Sequence, residues 1–232
     1  LHLIKTGVKP DQILAITFTN KAARELRERV ANLLEKEKIN FNKYDLLDLG
    51  STFHSFGVSI LRRHGEKIGL DKRFSIFDRD ESLAKIREAT RTLDLDDKRF
   101  EPKKTLSIIS RSKGDGKGQA DFIQEADKSR NPYQKIIAQI WFRYEELLKK
   151  NKALDFDDLL FKTIELFKTK PEVLELYQKR FSYIHIDEYQ DTNAIQYELS
   201  LLLAEKSKNI CVVGDMDQSI YSWRGADFTN LL

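Results

Sequence analysis

Four times along this chain a short apolar run breaks off into polar residues that open a segment of helical period. In "QILAITFTN" an Ile- and Thr-rich run ends at Asn20, and "KAARELRERVANLL" follows with Leu26, Val30, Leu33 and Leu34 at helical spacing. The pattern recurs where "LLDLGSTFHSF" leads into "GVSILRRHGEKIGL", where "YIHID" leads through "EYQDTN" into "AIQYELSLLLAEK", and where "NICVVGD" leads into "MDQSIYSWRGA". Strands alternating with helices predict an α/β fold with a parallel sheet, because a parallel neighbour is reached only by a crossover long enough to hold a helix. The ligand crevice of such a sheet lies beyond the carboxyl ends of its strands, and all four polar clusters fall there.

From about Leu70 to Lys152 the strand runs disappear and helical patterns take over. In "QKIIAQIWFRYEELLKK", Ile137, Ile140, Tyr144 and Leu147 share one face. This predicts an all-helical insertion domain over 70–152 in an α/β domain formed by 1–69 and 153–232. The middle of the insertion, "SRSKGDGKGQAD", has the glycines and charges of a mobile loop, and Lys113 and Lys117 there are candidate contacts to duplex DNA. "DFDDLLFKTIELF" and "PEVLELYQKRF" read as amphipathic helices returning the chain to the sheet.

Composition excludes more than it selects. Apolar residues make up 41% of the 232, enough for a substantial core, and no apolar run approaches the roughly 18 residues of a membrane span. With 40 Lys and Arg against 37 Asp and Glu, the net charge of +3 permits a nucleic-acid partner without arguing for one. The single cysteine, Cys211, lies in an apolar run and is expected in the core. A lone cysteine cannot form an intrachain disulfide, which fits a reducing cytoplasm. A chain that begins with Leu1 is expected to be a fragment.

A carboxylate such as Asp187 at the end of a buried strand can hold a hydrated Mg²⁺, which commonly takes one or two protein carboxylates plus phosphate oxygens. The adjacent Glu188 could accept a proton from an attacking water. The same residues also serve as caps, and Asp191, Thr192 or Asn193 is expected to cap the next helix. Thr19 and Asn20 are equally good helix starters. His54 stands in no cluster of metal ligands, so a zinc site is not expected.

The whole string "IDEYQDTN" resembles motif II of superfamily 1A DNA helicases of the UvrD/Rep/PcrA type. "AITFTNKAARELRERV" resembles motif Ia, "STFHSFGVSILRRH" motif Ib and "VVGDMDQSIYSWRGA" motif III, in the family's order and across almost the whole chain. The resemblance implies a RecA-like P-loop NTPase sheet, the family's first domain with its helical 1B insertion. It implies ATP and Mg²⁺ as cofactors, with Asp187 as the metal carboxylate, Glu188 as the base and Gln218 as the sensor of the γ-phosphate. Gln190 and Asp215 would face the nucleotide, with Gln190 linking it to the DNA site. Phe18, Asn20, Thr52, His54, Tyr221, Trp223 and Arg224 would meet single-stranded DNA, the two aromatics by stacking on bases. The expected parent is a 3′-to-5′ translocase acting on single strands and on single/double-strand junctions in repair or replication.

One family feature is missing. No G-x-x-x-x-G-K-[ST] loop occurs: in "GDGKGQ" Arg111 stands where the first glycine belongs, Gly118 follows Lys117, and no strand precedes it. The lost segment is expected just upstream of Leu1, and the second RecA-like domain beyond Leu232. Phosphoryl transfer rests on positioning and charge neutralisation, so the fragment alone is expected to be inactive. Two other readings compete: a catalytically silent single-stranded DNA-binding module, and a Mg²⁺-dependent nuclease built on Asp187, Glu188 and Asp215.

Overall fold

The computed structural model describes residues 1–46, 49–129, 131–219 and 226–231. Two compact units divide the chain, one formed by Leu1–Ile60 with Ile164–Leu232 and the other by Leu61–Thr163.

The first unit holds a three-stranded parallel sheet in the order β1 (Ile13–Ile16), β4 (Tyr183–Ile186), β5 (Ile210–Val212). Two small strands of the second unit, β2 (Ser75–Ile76) and β3 (Ala153–Leu154), come between them in the chain. Ile16 lies opposite Ile186, and Ile186 opposite Val212, so the three strands end level. Each crossover contains a helix, including α2 (Asn20–Lys36) after β1 and α10 (Ala194–Ala204) after β4. Leu14, Ile16, Ile184 and Ile186 are buried at 1% exposure or less. Phe56 packs edge-on against Tyr177 with ring centres 6.0 Å apart and lies 5.8 Å from Phe181, anchoring α3 (Phe53–His64) and α9 (Pro171–Arg180) within this core.

Two expectations fail in this unit. Among the described residues, the strand read into "LLDLGSTFHSF" shrinks to one bridge between Ile16 and Ser51, and α3 starts at Phe53. Phe53, Phe56 and Ile60, all buried, repeat at helical spacing, and that period overrides the apolar run before it. Cys211 is exposed, not buried. Among the described residues β5 pairs only with β4, which leaves it as the sheet edge.

In the second unit α4 (Arg79–Thr92), α5 (Pro102–Gly114), α6 (Gln119–Ser129) and α7 (Pro132–Lys150) surround an apolar core. Ile137, Ile140 and Tyr144 are fully buried, as the helical period predicts, and Leu147 packs at the margin. The region is not purely helical, because β2 pairs in parallel with β3. The expected mobile loop is mostly helix: α5 runs through Gly114 and α6 begins at Gln119. Lys113 explains why. It is 2% exposed, and its Nζ reaches Asp155 and Asp158 at 2.8 Å and Glu145 at 2.9 Å. A lysine sealed among three carboxylates cannot meet duplex DNA. Asp155 and Asp158 also accept each other's backbone N–H, at 2.8 and 3.2 Å, which starts α8 (Asp158–Thr169).

Candidate functional site

Four polar segments meet along the carboxyl edge of the sheet. Beside β1, the Thr17 N–H donates to the Ser51 carbonyl at 2.8 Å and the Ser51 N–H to the Ala15 carbonyl at 3.0 Å, which sets Thr52 next to the end of β1. Between β1 and β4, the Asp187 N–H donates to the Ile16 carbonyl at 2.9 Å. Beyond Asp187 the backbone turns through Glu188 in the left-handed region (φ 53°, ψ 44°), costly for a side-chain-bearing residue and concentrated at functional sites. The Tyr189 N–H then meets the Val213 carbonyl at 2.9 Å, tying this turn to the end of β5.

A chain of side-chain hydrogen bonds links these ends. Gln190, 1% exposed, donates through Nε2 to Glu188 Oε2 at 2.7 Å and accepts at Oε1 from the Asp215 N–H at 3.0 Å. Asp215 in turn accepts from Gln218 Nε2 at 2.7 Å and from the Asp217 N–H at 3.0 Å. Glu188, Gln190, Asp215 and Gln218, all singled out from the sequence, therefore form one connected set.

Asp187 stands exposed at the strand end. It borders a recess of about 360 Å³ that Thr17, Glu25, Arg29 and His185 also line. Among the described residues no three His, Cys, Asp or Glu converge to hold a metal, so Asp187, Glu188 and Asp215 form no nuclease-type cluster. One exposed carboxylate suits a hydrated Mg²⁺ that completes its shell with water and phosphate oxygens, and it does not suit a caged ion such as zinc. A larger open recess of about 520 Å³ follows a single face of α4, past Arg87 and Arg91, and contains none of these residues.

The first two segments carry the other candidates. Thr19 caps α2, accepting the Ala22 N–H at 3.1 Å, and leaves Asn20 exposed as the first helical residue. Phe18 is half-buried. Thr52 is buried, and its hydroxyl oxygen accepts the Ser55 N–H at 3.2 Å at the start of α3. Burial pulls the His54 imidazole down to about 4, so at neutral pH it is uncharged, with one donor and one acceptor nitrogen. Asn193 is the residue that caps α10, in a reciprocal box with Gln196. Tyr221, Trp223 and Arg224 lie outside the described residues. Sequence reading missed Ser55, whose hydroxyl reaches Asn20. It also missed the Lys113 cluster, for which the acid pair Asp155 and Asp158 at capping-box spacing was the only available signal.

A family model described as the UvrD/REP helicase N-terminal domain matches residues 1–232. The chain is 46% identical over 233 residues to the ATP-dependent DNA helicase PcrA of Leuconostoc citreum, covering 100% of this chain and 30% of that protein. It is 47% identical over 230 residues to proteins of the same name from Staphylococcus aureus (strain NCTC 8325 / PS 47) and Staphylococcus epidermidis, in each case covering 99% of this chain and 30% of the relative. The chain thus spans about 30% of the length of the curated relatives it matches.

Proposed function

The chain belongs to the UvrD/REP helicase N-terminal domain family, and from that premise we propose that it is the nucleotide- and DNA-facing N-terminal part of an ATP-dependent helicase. The parent moves 3′-to-5′ on single-stranded DNA and opens single/double-strand junctions in repair or replication. In this reading residues 1–69 with 153–232 are the RecA-like domain 1A, and 70–152 are the inserted domain 1B. The observation that carries the proposal is the hydrogen-bonded set Glu188, Gln190, Asp215 and Gln218 at the ends of adjacent strands.

Mg²⁺ bound with ATP would neutralise phosphate charge, and Asp187 is the residue that would hold it. Glu188 takes the proton of the attacking water. Its carboxylate is aimed by the buried Gln190, whose other end grips the backbone at Asp215. A Gln218 side chain drawn towards a γ-phosphate would leave Asp215 and so report phosphate state to the segment running on to Tyr221 and Trp223. Those aromatics, with Phe18, Asn20, Thr52, His54 and Arg224, would grip the strand without regard to sequence, since every base has a stackable face.

Because the 232 residues contain no phosphate-loop string, this chain alone is expected neither to turn over ATP appreciably nor to unwind DNA. The rival reading is a catalytically silent single-stranded DNA-binding module, and what precedes Leu1 discriminates between them: a phosphate loop there supports the motor, and its absence there supports the module. The two separate in the protein extended upstream of Leu1 and beyond Leu232 as its gene encodes it. DNA-stimulated ATP hydrolysis that falls about 10²- to 10⁴-fold in Glu188→Gln, with nucleotide binding retained, supports the motor. Absence of turnover beside tight DNA binding overturns it in favour of the module.

A further inference from the structure

The bridge between Ile16 and Ser51 brings the first residue of α2 close to the first turn of α3, and three side chains join there. The Ser55 N–H donates to Thr52 Oγ1 at 3.2 Å, and the Thr52 hydroxyl donates to Ser55 Oγ at 3.0 Å. The Ser55 hydroxyl in turn donates to Asn20 Oδ1 at 3.3 Å, with Thr52 Oγ1 also 3.4 Å from that oxygen. A hydroxyl has one proton to give, so this order satisfies all three groups: each donor hands on to the next acceptor, and the relay ends on the amide oxygen. Thr52 is 7% exposed, whereas Asn20 and Ser55 face solvent. With Oδ1 occupied, the Asn20 amide is left with two N–H donors to present outward.

We propose that Ser55 is a positioning residue for DNA, holding the Asn20 amide so that its N–H₂ and not its carbonyl faces a backbone phosphate. The inference rests on the reading of Asn20 as a DNA contact and adds a residue that this reading does not contain. A phosphate oxygen accepts only. An asparagine free to turn about its last bond offers the wrong end in one of two comparable orientations, and the carbonyl then repels the phosphate. Ser55, 35 positions away in sequence, donates to Oδ1 in this relay and so favours the orientation that leaves the N–H₂ outward.

The test is anisotropy titration of fluorescein-labelled oligo-dT at low salt with the full chain and four variants: Asn20→Ala, Ser55→Ala, Ser55→Thr and the double alanine. Thermal melting of each is recorded alongside. Asn20→Ala and Ser55→Ala should each weaken binding about 3- to 10-fold, the range of one hydrogen bond. The double variant should be no weaker than Asn20→Ala alone, and Ser55→Thr, which keeps the hydroxyl, should bind like the parent chain. Ser55→Ala binding normally while Asn20→Ala is impaired overturns the inference and leaves the DNA reading standing. Additive losses overturn it too, because Ser55 would then act independently of Asn20. If Asn20→Ala binds normally, or the parent chain does not bind, the DNA reading of Asn20 fails and takes the inference with it.

Discussion

Replacing Lys113 by Met should destabilise the helical unit severely, and most severely at alkaline pH. Among the described residues its Nζ is the one cation seen to pair with the buried Asp155 and Asp158, which are 3% and 1% exposed. Burial disfavours an ionised Asp155, but the Lys113 ammonium overrides it and holds that carboxyl below its usual range. Burial and the neighbouring Asp155 charge push Asp158 well above it. Lys113 is itself disfavoured as a buried charge, and the three carboxylates more than offset this, raising it well above its ordinary value. Removing one partner of a buried pair typically costs about 3–5 kcal/mol, because the charge left behind is neither solvated nor paired. At a urea slope of about 2 kcal/mol/M, 3 kcal/mol shifts the unfolding midpoint by about 1.5 M.

The sign with pH follows from which state binds protons. In the parent chain the depressed Asp155 contributes stability that is present above its unfolded value and lost as pH falls through the folded one. In the variant Asp155 is a buried acid without its cation, so its proton affinity rises and acidification relieves the penalty. The gap between variant and parent should therefore be larger at pH 7.5 than at pH 5. Trp141 reports on this unit directly, since it is buried there and donates to Glu145 at 2.9 Å. Urea titrations followed by tryptophan emission and far-UV circular dichroism at both pH values give the comparison. Lys117→Met is the control, because Lys117 and its partner Glu125 are both about half exposed and such pairs contribute little. A midpoint shift in Lys113→Met no larger than in the control, or an equal gap at both pH values, would refute the reasoning.

Two further variants probe the sheet unit. The His54 imidazole, pulled down to about 4 by burial, binds a proton more readily when unfolded, so stability should fall by about 2 kcal/mol from pH 7.5 to 5 through this residue alone; His54→Asn should flatten that dependence in urea titrations. Gly50→Ala puts a methyl group 2.5 Å from the Ala23 carbonyl oxygen and 2.8 Å from Arg27 Cγ, where Arg27 also donates to the Gly50 carbonyl; overpacking of this kind costs about 1–3 kcal/mol, read as a lower urea midpoint.

What the sequence made legible was whatever a contiguous string encodes. Strand, cap and helix follow one another within about ten residues in "ITFTNKAA" and "IHIDEYQDTNAIQ", and the caps Thr19 and Asn193 stand where side-chain chemistry places them. Lys113 and Lys117 show the opposite case. Four residues apart in one glycine-rich, charged stretch, they look alike, yet one is sealed in the core and the other is exposed. The difference is made by Asp155 and Asp158, 42 and 45 positions downstream. No local pattern reports such a partner, because charge runs are usually solvated and a buried lysine occurs only when distant packing supplies its counter-charges.

The proposed site divides along the same line. Glu188, Gln190, Asp215 and Gln218 were found because each sits inside a string that carries a resemblance, but their linkage depends on the register between β4 and β5. That register sets the Tyr189 N–H on the Val213 carbonyl, and Gln190 then spans from Glu188 to Asp215 with its amide satisfied at both ends. A buried amide bonded on both sides is costly to turn, since either bond lost would leave a desolvated polar atom. Gln190 therefore resists moving independently of Glu188 and Asp215, whereas the exposed Gln218, bonded to Asp215, is the member free to respond. The left-handed turn at Glu188 belongs to the same arrangement: it spends local backbone strain to set one carboxylate against a fixed amide, at the end of a strand whose neighbours hold it from both sides.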